Sequence, residues 1–422
     1  MTEVFKFGGA SIKNAEGIKN LANIVKLQAG KELFIVVSAM GQATNALAEL
    51  TQAYILGTEN VHDIFSSIKE YHETVMNELF QNPAHPVFDD VANAFVEIDW
   101  ILEEEPHDDY DFVYDQIVSL GELISSRIVT AYLNHTGVKA KWLDARSYIL
   151  TDNTYREGKV DWEKTRTAVE NDLPAILSEQ VAVTQGFIGG TSENYTTTLG
   201  RDGSDYSAAI FASCLKAESV TIWKDVPGVL NADPKWFDET ELIPVLSYHD
   251  AVELTYYGAN VIHPKTIKPL QNSSIPLKVR SFTDLNTAFT TIQHTESPLY
   301  IPSFIFKVDQ VLISILPKDY SFIIEENLSH IFDVLHRYRV KVNTMLNSAL
   351  SFSISVDNDP EKIEKLISAL SVTYRVKYNL NMELVTIRYY NQETIDRVTA
   401  NKNVLLEVKS RHTCQMVMKN KD

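Results

Sequence analysis

VFKFGGAS (Val4–Ser11) runs directly into IKNAEGIKNLANIVKL (Ile12–Leu27), and this junction decides the fold. Val4 to Phe7 is a short apolar strand pattern, Gly8 and Gly9 break it, and the apolar positions that follow recur at helical spacing. A strand feeding a glycine turn and a helix N-terminus presents free backbone N–H groups and a partial positive charge, which suits an anion such as a nucleotide phosphate. Lys6 adds a full charge there. The lysine precedes the glycines, so this is not the Walker arrangement, and G-x-G-x-x-G is absent too. KFGG alone is equally compatible with a strand-end lysine held in water.

Strand and helix patterns alternate outward from that junction. Strands are expected at Val4–Phe7, Leu33–Ser38, Ala140–Leu143, Gln180–Thr184, Ser219–Trp223 and Leu277–Ser281, with amphipathic segments such as Ser119–Leu133 and Ser204–Leu215 between them. Apolar strands separated by helices predict an α/β fold with a mostly parallel sheet sandwiched by helices. Ligands of such sheets sit at the carboxyl ends of the strands. KFGG, SAMG and QGFIGG all follow strands and should gather along that edge.

Gln185–Ala209, QGFIGGTSENYTTTLGRDGSDYSAA, sets Gly186, Gly189, Gly190, Gly200 and Gly203 beside Arg201, Ser204 and Asp205. The glycines are expected to let the backbone approach a ligand closely. Arg201 can clamp a carboxylate through two parallel N–H bonds, and Ser204 and Asp205 open the next helix. By itself the segment also fits an ordinary loop.

Composition narrows the class. A chain of 422 residues, 45% apolar, can bury a large core and divides into two or three domains. Its 38 basic and 56 acidic residues give a net charge of −18, which excludes nucleic acid and anionic membrane as partners unless a local basic stripe exists. EEEPHDDYD (Glu103–Asp111) reads as a solvated loop, since it lacks metal-ligand spacing. Cys214 and Cys414, far apart and outside any CxxC, read as reduced structural thiols. No leader precedes the first strand and the apolar runs are too short to span a bilayer, so a cytoplasmic location is expected.

The pattern breaks at HTESPLYIPS (His294–Ser303), which predicts one domain over 1–295 and another over 304–422. Beyond the break, Val311–Leu316, Ile323–Tyr338, Val340–Met345, Ser351–Val356, Pro360–Leu370 and Tyr374–Tyr378 read strand, helix, strand, strand, helix, strand, a ferredoxin-like order. A second module, with a strand at Glu383–Tyr390, a helix at Gln392–Asn401 and a strand at Val404–Val417, is expected to be partial.

Six motifs in order, VFKFGGAS, VVSAMGQATNAL, SLGELISSRI, GRDGSDYSAA, KDVPGVLNADP and YYGANVIHPKT, resemble aspartate kinase of the amino-acid kinase superfamily, with a ligand-sensing ACT region behind it. The resemblance implies transfer of the ATP γ-phosphoryl group to the side-chain carboxylate of L-aspartate. A carboxylate nucleophile is already ionised at neutral pH, so catalysis reduces to positioning and charge neutralisation. The resemblance gives Lys6 and Asp205 catalytic roles and places Phe7, Gly8 and Gly9 with Lys6 on the nucleotide. Arg201 grips the substrate α-carboxylate, Glu122 and Asp205 receive its α-ammonium, and Thr44 and Ser204 complete the pocket. ATP is implied with Mg2+ on its phosphates rather than on protein ligands. Lysine or threonine as an effector at the ACT region, and a homodimer, are implied as well.

Each role has a plainer competitor. Glu122 and Asp205 could be first-turn acids favoured by the helix dipole, Thr44 a cap before a helix at Asn45–Leu56, and Arg201 half of a surface ion pair. Asn343, Asn347 and Ser348 could line an effector site or pack a dimer. On the nucleotide side, Lys224, beside Asp225, stands where the family often has threonine, Leu230 where it has tyrosine, Lys235 where it has arginine, and Asn260 where it has lysine. Asp202 stands where glycine is common. Two other readings stay open: another kinase of the superfamily, and an amino-acid sensor that has lost turnover.

Overall fold

The computed structural model describes all residues except 238, 260–261, 296–299, 320 and 422. Part of the expected boundary at His294–Ser303 and the candidate Asn260 therefore lie outside the described residues. The chain divides into two compact units, the first comprising Met1–Val229, Leu242–Val252 and Val261–Pro298, the second Leu230–Glu241, Glu253–Asn260 and Leu299–Asp422.

In the first unit the strands are β1 (Thr2–Phe7), β2 (Glu32–Val37), β3 (Ala140–Leu143), β4 (Val181–Gln185), β5 (Ile188–Gly190), β6 (Thr196–Thr198), β7 (Ser219–Lys224), β8 (Val245–Ser247), β9 (Leu277–Ser281) and β10 (Thr290–Gln293). Eight of them form one sheet in the order β3-β4-β2-β1-β7-β9-β10-β8, parallel throughout except for the β9–β10 pair. This is a mostly parallel sheet sandwiched by helices, as the alternating pattern predicts. Central strands buried on both faces explain why Leu33–Val37 is apolar without alternation. Phe7 stacks on Trp223 at 6.0 Å between centroids, so its side chain belongs to the core.

Register sets the functional edge. Phe7 pairs with Val37 on one side and Trp223 on the other, and Val37 pairs with Gln185. The carboxyl ends of β1, β2, β4 and β7 are therefore level, and Gly8, Ser38, Gly186 and Lys224 emerge side by side. The glycine-rich segment contains something the spacing did not reveal: β5 and β6 form an antiparallel hairpin.

The second unit carries a six-stranded antiparallel sheet in the order β12-β13-β11-β14-β16-β15, made of β11 (Ser303–Pro317), β12 (Val342–Asn347), β13 (Phe352–Asp357), β14 (Tyr374–Arg388), β15 (Lys402–Lys409) and β16 (Thr413–Asn420). Helices Glu325–Arg337 and Pro360–Thr373 complete the ferredoxin-like order of the first module. The single strand expected at Val404–Val417 is instead a hairpin. Ser410 turns the chain there, its N–H donating to the Thr413 carbonyl at 2.8 Å.

The two modules share strands. Gln310–Pro317 of β11 pairs with Tyr374–Met382 of β14, while Ser303–Lys307 pairs with Leu384–Arg388. The second module thus borrows the opening half of β11. Its apolar face, with Phe304, Val385, Ile387 and Met416, is packed by Val398 of helix Gln392–Thr399 and by Ala232 and Phe237 from the Leu230–Glu241 segment. Cys214 and Cys414 are buried and unpaired, and burial pushes both thiols up to about 11. Among the described residues no helix is long and apolar enough to cross a membrane.

Candidate active site

At the level edge of the first unit's sheet lies a cleft of about 830 Å3. Lys6, Gly9, Thr44, Glu122, Arg201, Ser204 and Asp205 all line it, drawn from four separate stretches of chain. Lys6 is the penultimate residue of β1. Its Nζ stands 2.7 Å from Asp205 Oδ1, both side chains buried, in an ion pair whose direction does not meet hydrogen-bond geometry. Asp205 and Ser204 open the helix Gly203–Leu215, so the N–H groups of that first turn face the same cleft.

Glu122 sits in the first turn of helix Leu120–His135, fully inside. Its Oε2 has no hydrogen-bond partner among the described residues. Burial pushes its carboxyl up to about 8, while the backbone N–H groups of Ala39 and Glu122 and the Lys6 charge pull the other way. Burying a carboxyl with an unmatched oxygen is costly, and a cation arriving in the cleft would relieve that cost.

Thr44 lies inside the helix Ala43–Leu56, whose N-cap is Gln42, so it is not the cap itself. Arg201 is 81% exposed at the side chain and 3.7 Å from Asp202, a weak ion pair in water, which leaves the guanidinium available to the cleft it lines. Asp202 has φ +54, in the left-handed region, a conformation that glycine adopts without a Cβ penalty.

The glycines divide by role. Gly200, at φ +77, and Gly203 line the cleft. Gly190 does not: a Cβ there would stand 2.5 Å from the Arg146 carbonyl oxygen, so it lets β5 pack on the chain after β3 rather than on a ligand. Gly186 and Gly189 likewise meet Ser204 and the Ile149 carbonyl, which corrects the expectation that all five glycines approach ligand.

Residues on the far wall were not legible in the sequence. Asp111, Tyr114 and Arg156 line the cleft, with the Arg156 guanidinium 4.4 Å from the Tyr114 ring centroid and 3.3 Å from Asp111. Asp115 holds this wall together. Buried completely, it accepts from Arg156 N at 2.8 Å, Thr198 N at 2.8 Å and Thr198 Oγ1 at 2.7 Å, tying the Arg156 loop and the β5–β6 hairpin to helix Tyr110–Val118. An acid amid the buried Val113, Ile117 and Val118 was the signal available. The run Glu103–Asp111 is thus only partly a loop, since Glu103 ends one helix and Tyr110 begins the next; Asp111, on that second helix, is exposed at the cleft wall.

The nucleotide candidates are divided. Gly8 follows β1, Lys224 ends β7 and Asp225 follows it exposed, all in the first unit. Leu230 and Lys235 belong to the segment of the second unit that contributes Ala232 and Phe237 to its core. Among the described residues no cluster of three or more His, Cys, Asp or Glu could hold a metal ion.

The amino acid kinase family model matches residues 1–281. The chain is 28% identical to lysine-sensitive aspartokinase 3 of Escherichia coli over 91% of its length and 86% of that protein's. It is 32% identical to the chloroplastic bifunctional aspartokinase/homoserine dehydrogenase 2 of Arabidopsis thaliana over 69% of this chain, and spans 32% of the length of that relative. The fold superposes on E. coli aspartokinase III in complex with lysine and aspartate at a TM-score of 0.83 and 26% identity, over 98% of this chain and 95% of the other. On the structure of that enzyme with aspartate and ADP the score is 0.81 at 25% identity, over 99% and 96%.

Proposed function

We propose that this chain, which belongs to the amino acid kinase family, is an aspartate kinase that moves the γ-phosphoryl group of ATP to the side-chain carboxylate of L-aspartate. The observation that carries the reading is the convergence of Lys6, Glu122, Arg201 and Asp205 on one cleft. A substrate with an α-ammonium and two carboxylates matches that set of charges. Glu122, with its unmatched Oε2, and Asp205 receive the ammonium, and Arg201 takes the α-carboxylate. The side-chain carboxylate then faces Lys6, already ionised and needing no base. As the O–P bond to aspartate forms and the β,γ-bridging bond breaks, Lys6 and the N–H groups after β1 neutralise charge on the moving group. Substrate nitrogen approaching Asp205 frees Lys6 from its ion pair for this task.

Mg2+ would supply further charge neutralisation when bound to the nucleotide phosphates, a role that needs few protein ligands and so fits a chain in which, among the described residues, no group of three or more carboxylates, His or Cys could hold a metal by itself. Phe7, Gly8, Gly9, Lys224 and Asp225 form the nucleotide side of the first unit in this reading, with 1–295 read as the catalytic domain and 304–422 as the regulatory one. The product, 4-phospho-L-aspartate, opens lysine and threonine synthesis in a cytoplasmic setting. The regulatory region takes lysine or threonine and pairs two chains; the exposed Met345 and Leu346 on the edge strand β12 suit such a contact. A monomeric mass in solution would overturn the pairing.

ATP-dependent acyl phosphate, trapped with hydroxylamine, tests the activity across aspartate, glutamate, N-acetylglutamate and UMP. Product with aspartate alone is expected. Turnover confined to another acceptor, or none at all, would sink the reading.

A further inference from the structure

We propose that the first unit carries a second anion site, outside the Lys6 cleft, that takes a small molecule bearing adjacent phosphate groups. A groove of about 800 Å3 is bounded by Lys159, Trp162, Arg166, Tyr206, Lys265 and Lys268. Helices Trp162–Leu177, Gly203–Leu215 and Pro264–Asn272 supply its walls. Four cations gather here in a chain of net charge −18. Glu157 is the one carboxylate among the described lining residues, and the one residue shared with the Lys6 cleft.

The pairing pattern around the groove gives the reason to expect a ligand. None of the four cations is ion-paired with a carboxylate among the described residues. Their neighbours are paired: Lys164 stands 2.9 Å from Asp161 and Lys216 4.0 Å from Glu170. Asp161 at the N-cap and Glu170 on the helix that contributes Arg166 are thus matched to cations outside the groove. Clustered like charges repel, and adjacent phosphates would neutralise several of them at once. Half-buried Trp162 and Tyr206 add an aromatic surface, and the volume is within the range of metabolite sites, roughly 300–1,000 Å3. Adjacent phosphates occur in nucleotides and in free polyphosphate, and Trp162 is the group that would tell them apart by stacking on a base.

The test is calorimetric titration of tripolyphosphate into the full chain, carried in a Lys6→Ala background to remove the contribution of the Lys6 cleft. K265E/K268E should weaken binding about tenfold or more, whereas K164E/K216E, which changes net charge equally but outside the groove, should leave it near the parent value. Equal weakening by both pairs, or no binding to the parent across the millimolar range, would overturn the site. If K265E/K268E fails to fold, K159Q/R166Q serves in its place. ADP that quenches Trp162 fluorescence, with the signal lost in W162F, would identify a nucleotide ligand; tripolyphosphate binding as tightly without quenching would identify free polyphosphate.

Discussion

Glu122 in the first unit and Asn343 in the second are both polar residues set into packed surroundings, and they are satisfied in opposite ways. The Glu122 carboxyl is buried with one oxygen unmatched among the described residues. Asn343 is matched at every side-chain atom: its Oδ1 accepts from Lys307 Nζ at 2.8 Å, and its Nδ2 donates to Gln310 Oε1 and Asp357 Oδ1, each at 2.8 Å. Gln310 Nε2 closes the ring by donating to Asp357 at 2.7 Å. A buried group left wanting a partner is suited to a substrate, whereas a closed network is suited to holding strands together. This favours a structural role for Asn343 over effector contact, while Ser348 bonds to Ser351.

The contrast can be broken at its strongest point first. Lys6→Ala should lower kcat on the order of 10³-fold, because charge on the moving group loses its cation, and should also lower the melting temperature, because Asp205 is left buried without its partner. A mild loss, read in the hydroxamate assay, would remove Lys6 from the chemistry.

Glu122→Gln should raise the aspartate KM on the order of 100-fold with a smaller change in kcat. It should also alter stability against pH. The folded carboxyl titrates at about 8 against an ordinary 4.5, so the folded state holds more protons than the unfolded one between those values. The stability it contributes is complete below about 4.5 and is lost as pH rises through about 8. Denaturant titrations of wild type and Glu122→Gln should therefore diverge with rising pH, the variant lacking the decline. Wild-type aspartate KM should fall as pH rises toward 8, as Glu122 ionises. Parallel pH curves for the two proteins would deny the buried, unmatched carboxyl.

Asn343→Ala sharpens the other side. Opening the network should cost about 1–3 kcal/mol of stability and leave effector-free kcat and aspartate KM at wild-type values. A kinetic defect without destabilisation would give the network a functional role instead. The smallest effect belongs to Asp202→Gly, which should stabilise by about 0.5–1 kcal/mol by relieving the left-handed backbone, since its exposed contact with Arg201 contributes little.

Much of the site was legible because it sits where secondary structure begins or ends. Lys6 closes a strand, Ser204 and Asp205 open a helix, and Glu122 is an acid in a helix's first turn. The far wall was not legible. Asp111, Tyr114 and Arg156 join the cleft only because Asp115 bridges two segments more than forty residues away from it, Arg156 at a separation of 41 and Thr198 at 83. The glycines misled for a related reason: a missing Cβ admits any close neighbour, and at Gly190 the neighbour is the chain itself.

Local patterning by itself determined the alternating strands and helices, the parallel sheet and the ferredoxin-like order, because side-chain periodicity and glycine breaks act over a few residues. Only the tertiary structure decided that β11 and β14 each serve two modules, that Leu230–Glu241 packs into the second unit's core, and that Glu122 keeps an oxygen unmatched. Those outcomes depend on which distant surfaces meet and exclude water, and no short-range spacing encodes that.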